Sequence, residues 1–382
     1  MPMNVRKFSL PEIFFGRESL KYAGGCARIL GAEKVFLVSD SGLEKAGWVE
    51  KVFEILETEK LDWFYYSDIV ANPRDFQIQK GAWLYREQGC DVVMALGGGS
   101  PMDAAKGIAL VASNGGTVHD YEGANRIQRP LPPMVFIPST AGSGSDISQF
   151  AIITDVRRCV KMSIISRTLV PNISIIDPLI LGTKPRDLIV SSAIDAFSHA
   201  VESYISRIAF PFTEVQSLKA VDLIIRYLPL ALKEPCPDVL EQLSIASTAA
   251  AMAFSNASLG MDHALAHSLG GMLDVVHGLV HSVLLPPVMR YNLPACEEKL
   301  ADIGKIILGK RRRTSRSTAL AGIEKLEENF ASLKIATRMR DIVSDRLTLP
   351  QVCKTASRDA CLLTNPRSAD WEQMLEICEE SW

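Results

Sequence analysis

The sequence predicts an α/β domain at the N-terminal end of the chain, followed by an all-helical domain. Before residue 185, short apolar runs alternate with helix-like segments and are bounded by glycine, proline or aspartate. After residue 185, long amphipathic patterns dominate, and no linker-like stretch separates the two halves. We therefore expect a first domain over residues 1–184 and a second over residues 185–382, packed together with a cleft between them.

The expected strands of the first domain are short β-branched or apolar runs. They are "KVFLVSD" (34–40), "DVVMALGGGS" (91–100), "PMVFIPST" (133–140) and "NISIID" (172–177). Runs of this kind are typical of parallel strands that are buried on both faces. In the second half, "PRDLIVSSAIDAFSHAVESYIS" (185–206) and "TEVQSLKAVDLIIRYLPLALK" (213–233) predict long amphipathic helices.

Composition narrows the classes of protein that the chain can belong to. Of its 382 residues, 47% are hydrophobic and 22% are charged, and the net charge of −3 predicts no surface for nucleic acid. The eight cysteines are scattered without a CxxC pair, which favours reduced thiols in a cytoplasmic protein. No apolar run of membrane-spanning length occurs, so no membrane partner is expected.

A glycine-rich stretch, "ALGGGSPMDAAKGIAL" (95–110), joins an expected strand to an expected helix. Gly97, Gly98, Gly99 and Ser100 form the turn, and Pro101 suits the first turn of a helix. Without Cβ atoms, the backbone N–H groups can close on a pyrophosphate at the positive end of the helix. The alternative is a tight turn whose glycines serve packing, because the motif is neither GxGxxG nor a Walker loop.

Two further features favour a nucleotide site. Asp40 ends the first expected strand, where a carboxylate can accept hydrogen bonds from ribose hydroxyls and repel a 2′-phosphate, so NAD is favoured over NADP. A helix N-cap or turn aspartate is the alternative. A second glycine-containing loop, "PSTAGSGSDIS" (138–148), follows another strand and supplies hydroxyl groups. Together the two loops favour a nucleotide site in this α/β half.

Four of the six histidines lie within "MDHALAHSLGGMLDVVHGLVH" (261–281). Residues four apart share one face of a helix, which suits two ligands of one ion, and aspartate with imidazoles suits Fe²⁺ or Zn²⁺. Spacing alone leaves open which members coordinate. The pairs with this spacing are Asp195/His199, His263/His267 and His277/His281.

Motifs along essentially the whole chain resemble those of the iron-containing (group III) alcohol dehydrogenases. The motifs are "GGGSPMDAAK", "PSTAGSGSD", "DAFSHAVESYIS", "MDHALAHSLGG", "HGLVHSVLLPPVMRYN" and "TNPR". The resemblance implies a dehydroquinate synthase-like fold, in which the metal and the nicotinamide meet in the cleft between an N-terminal, Rossmann-like dinucleotide-binding domain and a C-terminal helical domain.

The resemblance also implies roles for individual residues. The metal ligands would be Asp195, His199, His263 and His277. His267 would lie near the substrate without binding the metal, as the catalytic residue that passes the alcohol proton to solvent. The cofactor contacts would be Asp40, Gly97, Gly98, Gly99, Ser100, Asp103, Thr140 and Lys161.

The activity implied is reversible hydride transfer between a primary alcohol, or its aldehyde, and NAD(H). Fe²⁺, with Zn²⁺ as the alternative, would lower the pKa of the alcohol as a Lewis acid. A homo-oligomer, dimer or higher, is expected. Other functions on the same fold stay open: a glycerol dehydrogenase or dehydroquinate synthase-like enzyme, and a non-catalytic nucleotide-binding sensor.

The sequence departs from the family pattern at three places. The second loop, commonly TTAGTGSE, reads STAGSGSD over residues 139–146. Pro287 stands where a histidine usually follows "LLP", and His281 is an additional histidine. None of these departures replaces an expected ligand, so we expect His281 to contribute little unless it orients His277. They leave the substrate open.

Overall fold

The computed structural model describes residues 6–382, which divide into two compact units. One unit contains Ser9–Pro185 and Pro235–Ser244. The other contains Arg186–Glu234 and Ile245–Trp382, together with residues 6–8. Among the described residues, no helix combines the length and the apolar character needed to cross a membrane.

Parallel strands form the centre of the first unit. In chain order the strands are β1 (Glu12–Phe15), β2 (Lys34–Val38), β3 (Asp62–Tyr66), β4 (Val92–Gly97), β5 (Gly123–Ala124), β6 (Met134–Pro138), β7 (Phe150–Asp155), β8 (Val160–Ile165) and β9 (Ile173–Ile176). Within the described part of the chain, six of them form an all-parallel sheet in the order β1-β9-β6-β4-β2-β3. The other three form a small sheet, β5-β8-β7, in which β7 and β8 are antiparallel.

Apolar clusters cover both faces of the large sheet, because successive side chains of a strand point to opposite faces. Phe36 and Val38 of β2 belong to one buried cluster, and Val35 and Leu37 belong to the other. Burial on both faces explains why the strands read as continuous apolar runs. The four strands expected from the sequence are confirmed as β2, β4, β6 and β9. The β7–β8 hairpin was not anticipated.

Helices of the first unit connect these strands. They are α1 (Ala23–Ile29), α2 (Ser41–Lys45), α3 (Trp48–Thr58), α4 (Asp75–Glu87), α5 (Gly99–Asn114) and α6 (Pro178–Leu181). The helix α5 begins directly after β4, so the glycine-rich stretch is a strand-to-helix turn as expected.

The second unit is helical. Its helices are α7 (Arg186–Ile205), α8 (Pro211–Lys233), α9 (Pro237–Ala257), α10 (Met261–Leu273), α11 (His277–Asn292), α12 (Glu297–Leu308), α13 (Ser315–Ser332), α14 (Leu349–Ala356) and α15 (Trp371–Glu380). The beginning of α9, as far as Ser244, belongs to the first unit. The two long helices expected from the amphipathic patterns are confirmed as α7 and α8. An α/β domain followed by a helical domain is thus the observed architecture.

The helices α7 and α11 approach closely at Gly278, the second residue of α11. A Cβ atom on Gly278 would lie 2.2 Å from the carbonyl oxygen of Ser191 on α7. A contact of that length with backbone cannot be relieved by a side-chain rotation. The distance between these helices therefore depends on the absence of a side chain at residue 278.

Gly278→Ala should lower the free energy of unfolding by about 1–3 kcal/mol, because the added methyl group forces two backbones apart. Denaturant unfolding of the purified variant measures this change. Gly25→Ala is the control, since nothing lies within 4 Å of a Cβ at this glycine of α1, and it should be neutral or slightly stabilising. Equal stability of the Gly278→Ala variant and the unchanged protein would contradict the proposed close contact.

Candidate metal centre and nucleotide-binding loops

Three helices of the second unit bring one carboxylate and four imidazole rings together. Asp195 and His199 lie on α7, His263 lies on α10, and His277 and His281 lie on α11. The distances from Asp195 Oδ1 to the four Nε2 atoms are 3.6 Å for His199, 3.6 Å for His263, 3.9 Å for His277 and 3.3 Å for His281. For all but His199, the candidate ligand atoms of these residues lie within 4.8 Å of one another.

Several of these polar atoms are buried without a hydrogen bond. Within residues 6–382, Oδ1 of Asp195 and Nε2 of His263 and His281 have no hydrogen-bond partner. Leaving buried polar atoms unsatisfied is costly, and a charged oxygen is the most costly case. Ligand atoms about 2.0–2.2 Å from a common ion lie roughly 3–4 Å from one another, and Asp195 Oδ1 lies 3.3–3.9 Å from the four imidazole nitrogens. The residues therefore fit a divalent cation.

The ring of His263 is oriented by Glu202, which lies on α7 seven residues after Asp195. Oε2 of Glu202 is 2.7 Å from Nδ1 of His263, and Oε1 accepts a hydrogen bond of 2.8 Å from the backbone N–H of Asp262. Because the carboxylate accepts a hydrogen bond from Nδ1–H, Nε2 carries the lone pair and faces Asp195. Metal-binding histidines are commonly held by a carboxylate in this way.

His281 has the same arrangement with a different carboxylate. Its Nδ1 lies 2.7 Å from Oδ2 of Asp262, and both side chains are fully buried. Burial raises the pKa of Asp262 and of Glu202. Burial opposes a charge on His281, but the carboxylates of Asp262 and Asp195 outweigh it and raise the pKa of the ring to about 10. A cation bound among the rings would displace that proton.

The other buried side chains of this cluster have protonation states that suit a metal. Burial lowers the pKa of His199 to about 3 and that of His263 to about 4, so both rings are neutral at pH 7. Burial disfavours the Asp195 anion, but His199 and the neighbouring rings outweigh that effect and hold its pKa well below the usual range. A neutral imidazole and an ionised carboxylate are the ligand forms.

His267 lies one turn after His263 on α10 but has another partner. Its Nδ1 is 2.9 Å from Oδ2 of Asp359, and with Cys361 these residues form a separate group. Its ring is nearly parallel to that of His277, with centroids 5.6 Å apart. Burial opposes the Asp359 anion, but His267 outweighs it and the pKa of the carboxyl is lowered. No motif of the sequence had pointed to Asp359.

The "TNPR" motif forms hydrogen bonds with two of the helices that carry the histidines. Oδ1 of Asn365 accepts a hydrogen bond of 3.1 Å from the backbone N–H of Met261, the first residue of α10. Asn365 also exchanges two side-chain hydrogen bonds, of 3.1 and 2.8 Å, with Asn292 at the end of α11. The motif therefore ties the start of α10 to the end of α11.

In the first unit, the glycine-rich turn packs against the second glycine loop. The backbone N–H of Ser139 donates to the carbonyl of Gly97 over 2.8 Å. Cβ atoms on the glycines would meet close neighbours, namely Pro101 Cγ at 2.5 Å for Gly97, Thr140 Cγ2 at 3.3 Å for Gly98 and Ser143 Cβ at 3.0 Å for Gly99. The glycines thus have a packing role, and the start of α5 remains a candidate phosphate site.

Three expected cofactor contacts have protein partners in this unit. Asp40 caps α2, because its Oδ1 accepts from the backbone of Gly42 and Leu43 over 2.8 and 3.1 Å. This is the helix-cap alternative considered for that residue. Ser100 Oγ accepts from the backbone N–H of Asn72 over 3.2 Å. Lys161, the third, lies on β8 and also interacts with other groups of the protein.

Asp103 is buried beneath the turn. One of its oxygens accepts from the hydroxyl of Ser145 and the other from the backbone N–H of Ile152 over 3.2 Å. Burial raises its pKa, although the positive charges of Lys106 and Lys161 oppose the change. Since both oxygens are occupied by protein groups, Asp103 joins α5 to the second loop.

Lys106, which the sequence analysis did not single out, is fully buried one turn after Asp103. Its Nζ donates to the carbonyls of Ser148 and Phe150 over 2.8 and 2.7 Å. Burial lowers its pKa to about 8, in spite of the nearby carboxylates of Asp103 and Asp146. The lysine fixes the segment after the second glycine loop against α5.

Comparison with protein families matches nearly the whole chain. The profile described as iron-containing alcohol dehydrogenase matches residues 11–178. The profile described as the C-terminal part of the Fe-containing alcohol dehydrogenase family matches residues 189–382.

Individual proteins are similar over their full lengths. The chain is 35% identical over 388 residues to the 1,3-propanediol dehydrogenase of Citrobacter freundii, with 100% of each chain covered. It is 32% identical over 379 residues to the NAD-dependent methanol dehydrogenase of Bacillus methanolicus, covering 98% of this chain and 99% of that protein. A crystal structure of 1,3-propanediol oxidoreductase has a TM-score of 0.96 at 33% identity and covers 99% of this chain and 100% of its own.

Glu202→Gln should weaken metal binding by roughly 10–100-fold, because the amide cannot hold the Nδ1 proton of His263 as the carboxylate does. His263→Ala should abolish stoichiometric binding, because it removes a ligand. Chelator competition with Co²⁺ measures both effects. His267→Ala is the matched control on the same helix and should bind the metal like the unchanged protein. Loss of metal from the control together with retention in His263→Ala would refute this division of the histidines.

Proposed function

The chain belongs to the iron-containing alcohol dehydrogenase family, and from that premise we propose that it transfers hydride reversibly between a primary alcohol, or its aldehyde, and NAD(H). One observation carries the proposal: the buried Oδ1 of Asp195 lies within 3.9 Å of four imidazole nitrogens, which three helices of the second unit supply. Such a set of donor atoms fits the metal that this reaction uses.

We propose Asp195, His199, His263 and His277 as metal ligands. When bound, the metal supplies a Lewis acid that stabilises negative charge on the alcohol oxygen. Fe²⁺ is the proposed ion and Zn²⁺ the alternative, since one carboxylate with imidazoles suits either. Phe254 stacks on the ring of His199 with centroids 4.2 Å apart, and both side chains are buried, so that side of the site would exclude water.

His267 is the proposed proton carrier. Because Asp359 holds Nδ1, the Nε2 atom is the one available to accept the alcohol proton and pass it to solvent. The Asp359 carboxylate stabilises the protonated ring that forms. This division of labour separates His267 from the ligands, although His263 and His267 share one face of α10.

The proposed cofactor site lies on the loops of the first unit. The backbone N–H groups at the start of α5 would receive the pyrophosphate, with Gly97, Gly98, Gly99 and Ser100 forming the turn. Asp40 would meet the adenosine ribose. Thr140 and Lys161 complete the proposed set, and Asp103 supports it from beneath. The NAD-dependence of the methanol dehydrogenase relative supports NAD as the cofactor.

We further propose that the substrate is a short primary alcohol, since the similar proteins include a propanediol dehydrogenase and a methanol dehydrogenase. A cytoplasmic homo-oligomer is part of the proposal. All eight cysteines are free thiols, in keeping with a reducing compartment. Light scattering coupled to size-exclusion chromatography measures the number of subunits.

Metal-free protein that is reconstituted anaerobically with Fe²⁺ should oxidise short primary alcohols and form NADH. Zn²⁺ binds such sites more tightly by the Irving–Williams order, so protein purified in air should contain zinc or no metal and gain activity on iron loading. A panel of alcohols, followed by NADH absorbance, makes the measurement. Equal or faster turnover with Zn²⁺ would overturn the choice of iron, and no NADH with any alcohol would overturn the function.

His267→Ala provides an internal control for that experiment. It should retain the metal and lose about 100-fold or less in turnover, which is the scale of general acid–base assistance. A variant that loses its metal as well would show that the residue is a ligand instead.

Asp40→Ser should raise the ratio of NADP to NAD turnover, because it removes the carboxylate that repels a 2′-phosphate. Serine is also a good N-cap residue, so the start of α2 is preserved and the two roles of Asp40 are separated. Values of kcat/KM with each cofactor measure the change. If the unchanged protein already prefers NADPH, the placement of Asp40 at the ribose is wrong.

A further inference from the structure

We propose that His281 is a fifth protein ligand of the metal and that Asp262 holds its ring in the binding orientation. The inference rests on the metal centre of the proposed function. It goes beyond that function, because the family resemblance assigns the ligands to Asp195, His199, His263 and His277 and leaves His281 as an additional histidine.

The position of His281 is the first argument. Its Nε2 lies 3.3 Å from Asp195 Oδ1, whereas the Nε2 atoms of His199, His263 and His277 lie 3.6 Å or more from the same oxygen. Its ligand atom also lies within 4.8 Å of those of Asp195, His263 and His277. A cation held by those three residues would therefore lie beside the Nε2 of His281.

The orientation of the ring is the second argument. His281 and His263 are built alike: each has Nδ1 2.7 Å from a buried carboxylate oxygen, and each has a buried Nε2 without a hydrogen-bond partner among the described residues. A histidine ligand is usually supported by a carboxylate that is hydrogen-bonded to the ring nitrogen that does not bind the metal. Asp262 thus does for His281 what Glu202 does for His263.

Burial is the third argument. The side chains of Asp262 and His281 are both completely inaccessible to solvent. Burying a carboxylate and an imidazole in place of apolar side chains is rarely favourable for stability alone. A bound cation accounts for the pair, because it satisfies the nitrogen that faces Asp195 and balances the added carboxylate.

The additional ligand has a consequence for the choice of ion. The ligand atoms of Asp195, His263, His277 and His281 lie within 4.8 Å of one another, and His199 Nε2, 3.6 Å from Asp195 Oδ1, would complete the set on binding. One carboxylate oxygen and four imidazole nitrogens would then fill five positions and leave one position of an octahedral ion for the substrate. Catalytic zinc sites usually hold three protein ligands in a tetrahedral arrangement. A set of five favours ions that accept higher coordination numbers, such as Fe²⁺, Co²⁺ and Ni²⁺.

The deciding experiment is a crystal structure of the full-length protein loaded anaerobically with Co²⁺, in which anomalous scattering locates the metal. We expect the Nε2 of His281 at about 2.0–2.2 Å from the ion, as for the other imidazole ligands. An ion bound by the other four residues, with the His281 nitrogen more than about 3 Å away, would overturn the inference and leave the proposed function standing. Protein that binds no Co²⁺ would overturn both.

Chelator competition supplies a second, independent readout. His281→Ala should weaken Co²⁺ binding by more than about 100-fold, and Asp262→Asn by about 10–100-fold, because the first removes a ligand and the second only its support. Both variants should also change the visible absorption of bound Co²⁺, which reports the coordination number. His267→Ala is the matched control and should leave affinity and spectrum unchanged. An unaltered spectrum in His281→Ala would mean that the ring is only a structural contact of Asp195.

Discussion

The helical unit is organised around the buried negative charge of Asp195. Its Oδ1 has no hydrogen-bond partner among the described residues and faces four imidazole nitrogens. A charge of this kind is strongly unfavourable inside a protein unless a positive charge accompanies it. The helices α7, α10 and α11 meet closely around this carboxylate, as a site for a cation would require. The absence of a side chain at Gly278 permits that approach, and Asn365 fixes the ends of two of the helices.

A second layer of carboxylates decides what each ring can do. Glu202 holds His263, Asp262 holds His281 and Asp359 holds His267, in each case at Nδ1. The Nε2 atoms of the first two then face Asp195, while His267 is the proposed proton carrier. Glu202 also accepts a hydrogen bond from the backbone N–H of Asp262. One carboxylate therefore fixes both the start of α10 and the orientation of the His263 ring. Fold and ligand geometry thus share the same contacts.

In the α/β unit, buried charged side chains likewise hold the loops in place, by hydrogen bonds to groups of the loop segments. Asp103 joins α5 to the second glycine loop through Ser145, and Lys106 joins it to the carbonyl of Ser148. Both charged side chains thus form hydrogen bonds with groups of the protein. Loops that are fixed before a ligand arrives lose little conformational entropy on binding, which favours affinity. The glycines contribute by letting the two loops pack side by side.

The sequence by itself determined the class of fold, most of the central strands and the helices of the metal site. Apolar runs and residue spacing are local signals, and they report which face of a strand or helix is buried. The three i,i+4 pairs therefore placed histidines on common faces correctly. Only the tertiary structure decided which ring meets which partner. The carboxylates of Glu202, Asp262 and Asp359 lie 61, 19 and 92 residues from their histidines, beyond any local pattern. Likewise Asp40 lies at a helix N-cap, and His281, expected to contribute little, points its Nε2 at Asp195, because packing between distant segments sets the direction of each side chain.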